Sequence, residues 1–257
     1  EIENFLRSIP PFTKYFMGVI FVNTVIVSLH LVSPYALLMD FGLFFKSFHI
    51  WRVVTCYTFV GGFSFNFLMM LMLANFSVGS LEKLYAKNIH AFYYLISFTI
   101  VSHLLLGFLL DSYQVLTQEF LFTMLYIFCK REPENIVNFW GFAIKTGNFP
   151  WVLLGFSLLI GNDIFKILAG YAIGHLYMYL KYILPDHYGY KLMETPLWFK
   201  KVVNWVAGKI AGYQAVRPQR QWNNVRDLNN QDPAEEFNNA QGGFAAFGGR
   251  GVRLGGE

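Results

Sequence analysis

Charge is scarce in this chain. Asp, Glu, Lys and Arg make up 14% of its 257 residues, where a soluble domain carries about 25%. That shortfall excludes a water-covered surface over most of the length. Cysteine is scarcer still. Cys56 and Cys129 are the only two, too few for a disulfide framework, and neither stands at metal-ligand spacing from a histidine or from the other. No cofactor or metal is expected. Residues 1–14 are acidic and then polar, with Pro10-Pro11. They lack the basic start and short apolar run of a cleaved signal, so the first apolar stretch is expected to act as an uncleaved anchor. The net charge of +4 is mild, and no nucleic-acid partner is expected.

Apolar and aromatic residues fill the space. The chain is 55% hydrophobic and 19% aromatic, led by 28 Phe, a composition suited to lipid contact and bilayer interfaces. A spanning helix needs about 20 mostly apolar residues. Six candidate spans follow: 15–38, 59–80, 90–110, 115–129, 149–160 and 164–184. The fourth and fifth would reach only about 22 Å and about 18 Å as helices, short of a hydrocarbon core about 30 Å thick. Local thinning of the bilayer would relieve that mismatch. Residues 39–54 carry Asp40, Lys46 and Arg52 among apolar neighbours and are expected to form an interfacial loop. Residues 138–148 are expected to form a second interfacial stretch.

Six spans place both termini on one side, and basic residues decide which. With cytosolic termini, Arg7, Lys14, Lys83, Lys87, Lys130, Arg131, Lys145 and the basic residues of the tail all face the cytosol. The opposite loops hold Lys46 and Arg52, with Lys166 inside the last span. Both termini are therefore expected to be cytosolic. The expected organisation is a cytosolic segment over 1–14, a membrane domain over 15–189, an amphipathic cytosolic helix within 190–214 and a tail over 215–257. Thr195-Pro196 suits a helix start. Trp198, Val202, Trp205, Val206 and Ile210 recur at helical spacing with Lys200, Lys201 and Lys209 nearby, the pattern of a helix lying on a membrane surface. The tail is rich in Asn, Gln, Gly, Arg and Asp and is expected to be disordered.

Three local patterns stand out. Trp51-Arg52 precedes the second span, and Trp prefers the interface while Arg can hold backbone carbonyls or lipid phosphate. Gly170 and Gly174 share one face of the sixth span, a spacing that lets another helix approach closely; His175 follows. The last stretch reads Phe247-Gly248-Gly249-Arg250-Gly251-Val252-Arg253-Leu254, two apolar anchors around flexible glycines on an extended linker. With the opening Phe5-Leu6-Arg7-Ser8-Ile9-Pro10 and the span lengths, the chain resembles the Derlins, protease-dead relatives of the rhomboids.

The resemblance covers almost the whole chain and implies an all-α, six-span rhomboid-like bundle in the endoplasmic reticulum membrane, with interfacial helices and a disordered tail. It implies that Trp51 and Arg52 pin the first lumenal loop against the bundle. It also implies that Phe247, Gly249, Gly251, Arg253 and Leu254 form an SHP box, a linear motif that docks on the valosin-containing AAA ATPase. Rhomboid proteases place a serine in a Gly-x-Ser-x turn at the start of the fourth span. Here residues 119–126 hold no serine and no glycine, and Thr123 is the nearest aliphatic hydroxyl. The second-span positions that carry His and Asn in rhomboids hold Asn66 and Met70. No enzyme activity is expected, because a nucleophile needs an adjacent base and oxyanion donors.

The implied function is non-catalytic endoplasmic-reticulum-associated degradation, within the unfolded protein response. Misfolded clients would be captured and moved to the cytosol with a membrane ubiquitin ligase complex, by this chain alone or in homo- or hetero-oligomers with other Derlins. Asn66, Asn75, Gln118 and His175 are polar positions within spans and are candidates to line a client route. An active intramembrane protease and a small channel or transporter are the alternatives.

Overall fold

The computed structural model describes residues 8–47, 49–110, 115–139, 141–188 and 193–209. The SHP-box positions, and all of 210–257, lie outside the described residues.

The first helix, α1 (Pro11–Ser28), opens with Pro11 at a position where its missing N–H costs nothing. No serine or threonine caps it. Its cap comes instead from the carboxylate of Glu82, far along the chain. Glu82 Oε1 accepts from the Phe12 N–H at 2.9 Å, and Oε2 accepts from the Thr13 N–H at 2.9 Å and the Thr13 hydroxyl at 2.8 Å. A negative group on open N–H groups at a helix start is favourable on both hydrogen-bonding and dipole grounds.

The expected first span ran to residue 38, but α1 stops ten residues earlier. His30 takes a left-handed φ of 56°, and the His30 and Leu31 N–H groups turn back to the carbonyls of Val27 and Ile26. That pattern closes a helix end. A short 3-10 turn follows at Pro34–Ala36. The expected interfacial loop is two short helices, α2 (Phe41–Ser47) and α3 (Trp51–Thr55).

α4 (Phe65–Leu84) begins six residues later than the sequence suggests, because Gly61 sits at a φ of 107° and Ser64 supplies the cap, accepting from the Phe67 N–H at 3.2 Å. α5 (Ile89–Leu110) follows the expected limits closely. α1, α4 and α5 are each long and apolar enough to cross a membrane. α6 (Thr117–Arg131), α7 (Phe149–Leu159) and α8 (Ile164–Met178) are shorter. α8 continues without a break through a π-helical segment, Tyr179–Ile183, into α9 (Leu184–Tyr188). The amphipathic segment forms α10 (Leu197–Lys209), joined to α5 by an edge-on contact of Phe199 with Tyr94.

The all-α expectation needs correction. The stretch expected at the interface is an antiparallel hairpin, β1 (Ile136–Phe139) against β2 (Phe142–Lys145), with Ile136 opposite Lys145 and Phe139 opposite Phe142. Gly141 at the turn takes a φ of 89°, which glycine adopts without steric cost. Phe139 packs edge-on against Phe149 and Phe156, docking the hairpin on α7.

The core centres on α6. From Glu119 to Cys129 every residue of this helix is buried, and its most extensive packing is against α8, then α4.

Candidate functional site

The close approach of α6 and α8 is set by two glycines. A Cβ added to Gly170 would lie 2.6 Å from the Glu119 carbonyl oxygen, and one added to Gly174 would lie 3.0 Å from the Tyr126 ring. Hydrogen at those positions lets the backbones meet. Into the gap reaches Thr123, which is fully buried. Its Oγ1 lies 2.7 Å from the Gly170 carbonyl on α8, 2.9 Å from the Glu119 carbonyl on α6 and 3.2 Å from His103 Nε2 on α5.

His103 is itself 1% exposed, with Nδ1 2.7 Å from the Thr99 carbonyl. That contact requires the proton on Nδ1, so in the neutral ring Nε2 presents a lone pair. The single hydroxyl proton of Thr123 thus faces three acceptors on three helices. This is a polar knot that ties α5, α6 and α8. It pairs a hydroxyl with an imidazole, but it does not make a nucleophilic site. The oxygen has no exposed surface, and Thr123 sits inside a regular helix whose N–H groups are committed to the ladder and so cannot serve as oxyanion donors.

Glu119 is 1% exposed, and neither carboxyl oxygen has a hydrogen-bond partner among the described residues. The neighbouring turn is well tied. Thr117 donates its hydroxyl to the carbonyls of Cys56 at 3.1 Å and Phe59 at 2.6 Å, and the Leu116 N–H donates to Cys56. The segment after α3 is therefore bound to the start of α6.

Arg52 is 7% exposed, and its Nη1 donates to the carbonyls of Tyr35 at 3.0 Å and Leu38 at 2.6 Å. The guanidinium satisfies carbonyls that the broken first helix leaves open. Trp51 is exposed and lies beside His49, with ring centroids 4.4 Å apart. An open apolar cleft of about 270 Å³ lies between this loop and α5, with Met39, Phe44 and Val53 on one wall and Val101, Leu104 and Phe108 on the other.

The four polar candidates for a client route lie on three helices, Asn66 and Asn75 on α4, Gln118 on α6 and His175 on α8. Among the described residues no hydrogen bond joins any two of them. Asn66 lies in the first turn of α4, half-buried, with its Oδ1 enclosed and unpartnered. Asn75 is half-buried near the α1 contact, where its Oδ1 would meet a Cβ on Gly79 at 3.7 Å. Gln118 encloses an unpartnered Nε2 at the start of α6. His175 is exposed, with Nδ1 3.1 Å from the Tyr126 hydroxyl. Gly170, Gly174 and Tyr177 occupy the inward face of α8, and a residue one step past Gly174 is turned about 100° away.

The buried polar residues that do meet, His103 with Thr123 and Glu82 with Thr13, were not singled out as site candidates. The signal was present for His103. An ionisable side chain in the uncharged 22-residue run of α5 is a candidate by default.

The profile of the Der1-like family matches residues 9–197, nearly all of the region just described. The chain belongs to the Der1-like family. Among individual relatives, Derlin-1.2 of Zea mays is 31% identical over 254 residues, spanning 97% of each chain. Derlin-1 of Oryza sativa subsp. japonica is 30% identical with the same coverage. Derlin-2.1 of Zea mays is 28% identical over 211 residues, covering 77% of this chain and 85% of its own. The chain is a membrane protein of this family.

Proposed function

We propose that this protein works without peptide-bond cleavage in endoplasmic-reticulum-associated degradation. It captures misfolded proteins in a six-span, rhomboid-like bundle with both termini in the cytosol, passes them toward the cytosol, and recruits the valosin-containing AAA ATPase through its tail. A membrane ubiquitin ligase and further Derlin copies are its proposed partners. The short helices α6 and α7 would be matched by a locally thinned bilayer, which lowers the barrier to moving a polar client.

The observation that carries this reading is the tail pattern Phe247, Gly249, Gly251, Arg253 and Leu254 at the end of a Der1-like chain. The Thr123 geometry supports the non-catalytic part, since its hydroxyl is committed to three helices. The test is binding of the ATPase amino-terminal domain to the full chain in lipid nanodiscs, beside a Phe247→Ala/Leu254→Ala variant. Binding lost in the variant supports recruitment. Equal binding, or none by either protein, removes the link to the ATPase. A channel or a simple membrane adaptor would then be the better description.

A further inference from the structure

At one end of the bundle two cations meet with no acid between them. Arg131 is the last residue of α6, and Lys181 lies in the π-helical segment that extends α8. Both sit over the ring of Tyr85, which caps the end of α4. The Arg131 guanidinium carbon is 5.8 Å from its centroid and Lys181 Nζ is 5.6 Å from it. Arg131 also lies 4.8 Å from the Tyr182 ring, and Lys181 5.4 Å from the Tyr177 ring. Both cations thus lie within 6 Å of one ring centroid.

Three phenols line the same spot. Arg131 Nη1 donates to the Tyr182 hydroxyl, Lys181 Nζ donates to the Tyr177 hydroxyl at 2.9 Å, and the Tyr85 and Tyr182 hydroxyls are 3.1 Å apart. Tyr85 is 8% exposed and Tyr177 fully buried, so the floor of the site is rigid and both cations are half-covered. Among the described residues neither cation makes an ion pair. Glu82, one turn before Tyr85, is committed to the start of α1. Like charges brought together over a buried aromatic floor repel, and the negative end of the α6 dipole offsets only part of that. Most of the guanidinium and ammonium donors also remain unused by protein groups.

The backbone is arranged for this cluster. A π-helical turn is uncommon and tends to mark functional positions, and here it carries both Lys181 and Tyr182. The depth is informative too. α4, long and apolar enough to cross a membrane, ends at the site together with α6, a placement that suits headgroup level. Lys83, Lys87 and the exposed Lys130 stand at the same end and would draw an anionic surface toward it.

We propose that Arg131 and Lys181, held over the Tyr85 ring by the hydroxyls of Tyr182 and Tyr177, form a binding site for the phosphate headgroup of an anionic membrane lipid. The phosphate bridges the two cations and accepts their free donors. A bound lipid would thereby join α4, α6 and the extension of α8 at one end.

The test is native mass spectrometry of the full-length protein in detergent, titrated with dioleoylphosphatidic acid and, as control, dioleoylphosphatidylcholine. Phosphatidic acid is expected to bind the intact chain in preference to phosphatidylcholine. Arg131→Gln/Lys181→Gln should weaken phosphatidic acid binding about tenfold or more, whereas Lys83→Gln/Lys87→Gln, which removes the same charge at the same end, should weaken it less than about threefold. Equal losses in the two double variants would mean a diffuse surface field and overturn the site. Unchanged binding in the first variant would overturn it as well. If that variant does not fold, Lys181→Arg is expected to keep binding and Lys181→Gln to lose it, and equal binding by both would refute the proposal. Displacement of the lipid by an equimolar amount of inorganic phosphate would overturn the lipid assignment in favour of a free phosphate.

Discussion

α5 and α6 lie side by side and obey opposite rules. α5 has no charged residue in 22 positions, yet it turns Val101, Leu105, Phe108 and Leu109 outward. α6 holds Gln118, Glu119 and two threonines, yet it is buried on nearly every side. In water the more apolar helix would be the inner one. In lipid the surroundings are as apolar as leucine, so burial of apolar surface no longer drives packing, and close fit with interhelical hydrogen bonds takes its place. The inner helix is therefore marked by its polar residues and by the glycines of the helix that meets it, and the outer one by unbroken apolar length.

That contrast can be broken at the α6–α8 contact. Gly170→Val should have the largest effect, about 3 kcal/mol or more, because the new Cβ meets a backbone carbonyl that cannot swing away. Gly155→Ala, with open space around it, should be close to neutral. Reversible unfolding in mixed micelles would measure both, and equal stability would mean that the helices do not meet as described. Glu82→Ala should come next, at about 2 kcal/mol, since it uncaps α1 and leaves two N–H groups open. Glu82→Gln should lose about half of that.

Thr123→Val keeps the shape and removes the knot. A loss of about 1–2 kcal/mol is expected, with His103 Nε2 left without its partner. A variant as stable as the parent would show that the hydroxyl contributes nothing. At the other end of the scale, Leu109→Ala on the outer face of α5 should change stability by less than about 0.5 kcal/mol. A larger loss there would mean that protein, not lipid, covers that face.

How much the sequence discloses follows the same division. α5 was legible almost to the residue, because uninterrupted apolar length is a local signal. α7 was too. The end of α1 was not, since His30 is an ordinary histidine until its backbone turns left-handed. The hairpin escaped because its strands of four residues are too short for alternation to register. The glycine pair on α8 was readable as a point of approach, but which helix approached was not. His175 entered the candidate route by its polarity alone, and its exposed position beside Tyr126 is set by the helical period. His103 and Thr123 belong to different helices, so nothing local connects them. The tail motif remains a matter of sequence alone.

The cap on α1 has a consequence in time. Its carboxylate belongs to a residue 70 positions downstream of the first N–H it serves. A ribosome delivers the first helix long before it delivers Glu82, so the amino-terminal turn must wait, open to whatever water or lipid headgroup is at hand. The start of α1 therefore gains its protein cap only when α4 arrives, so the completion of the first helix is tied to later sequence.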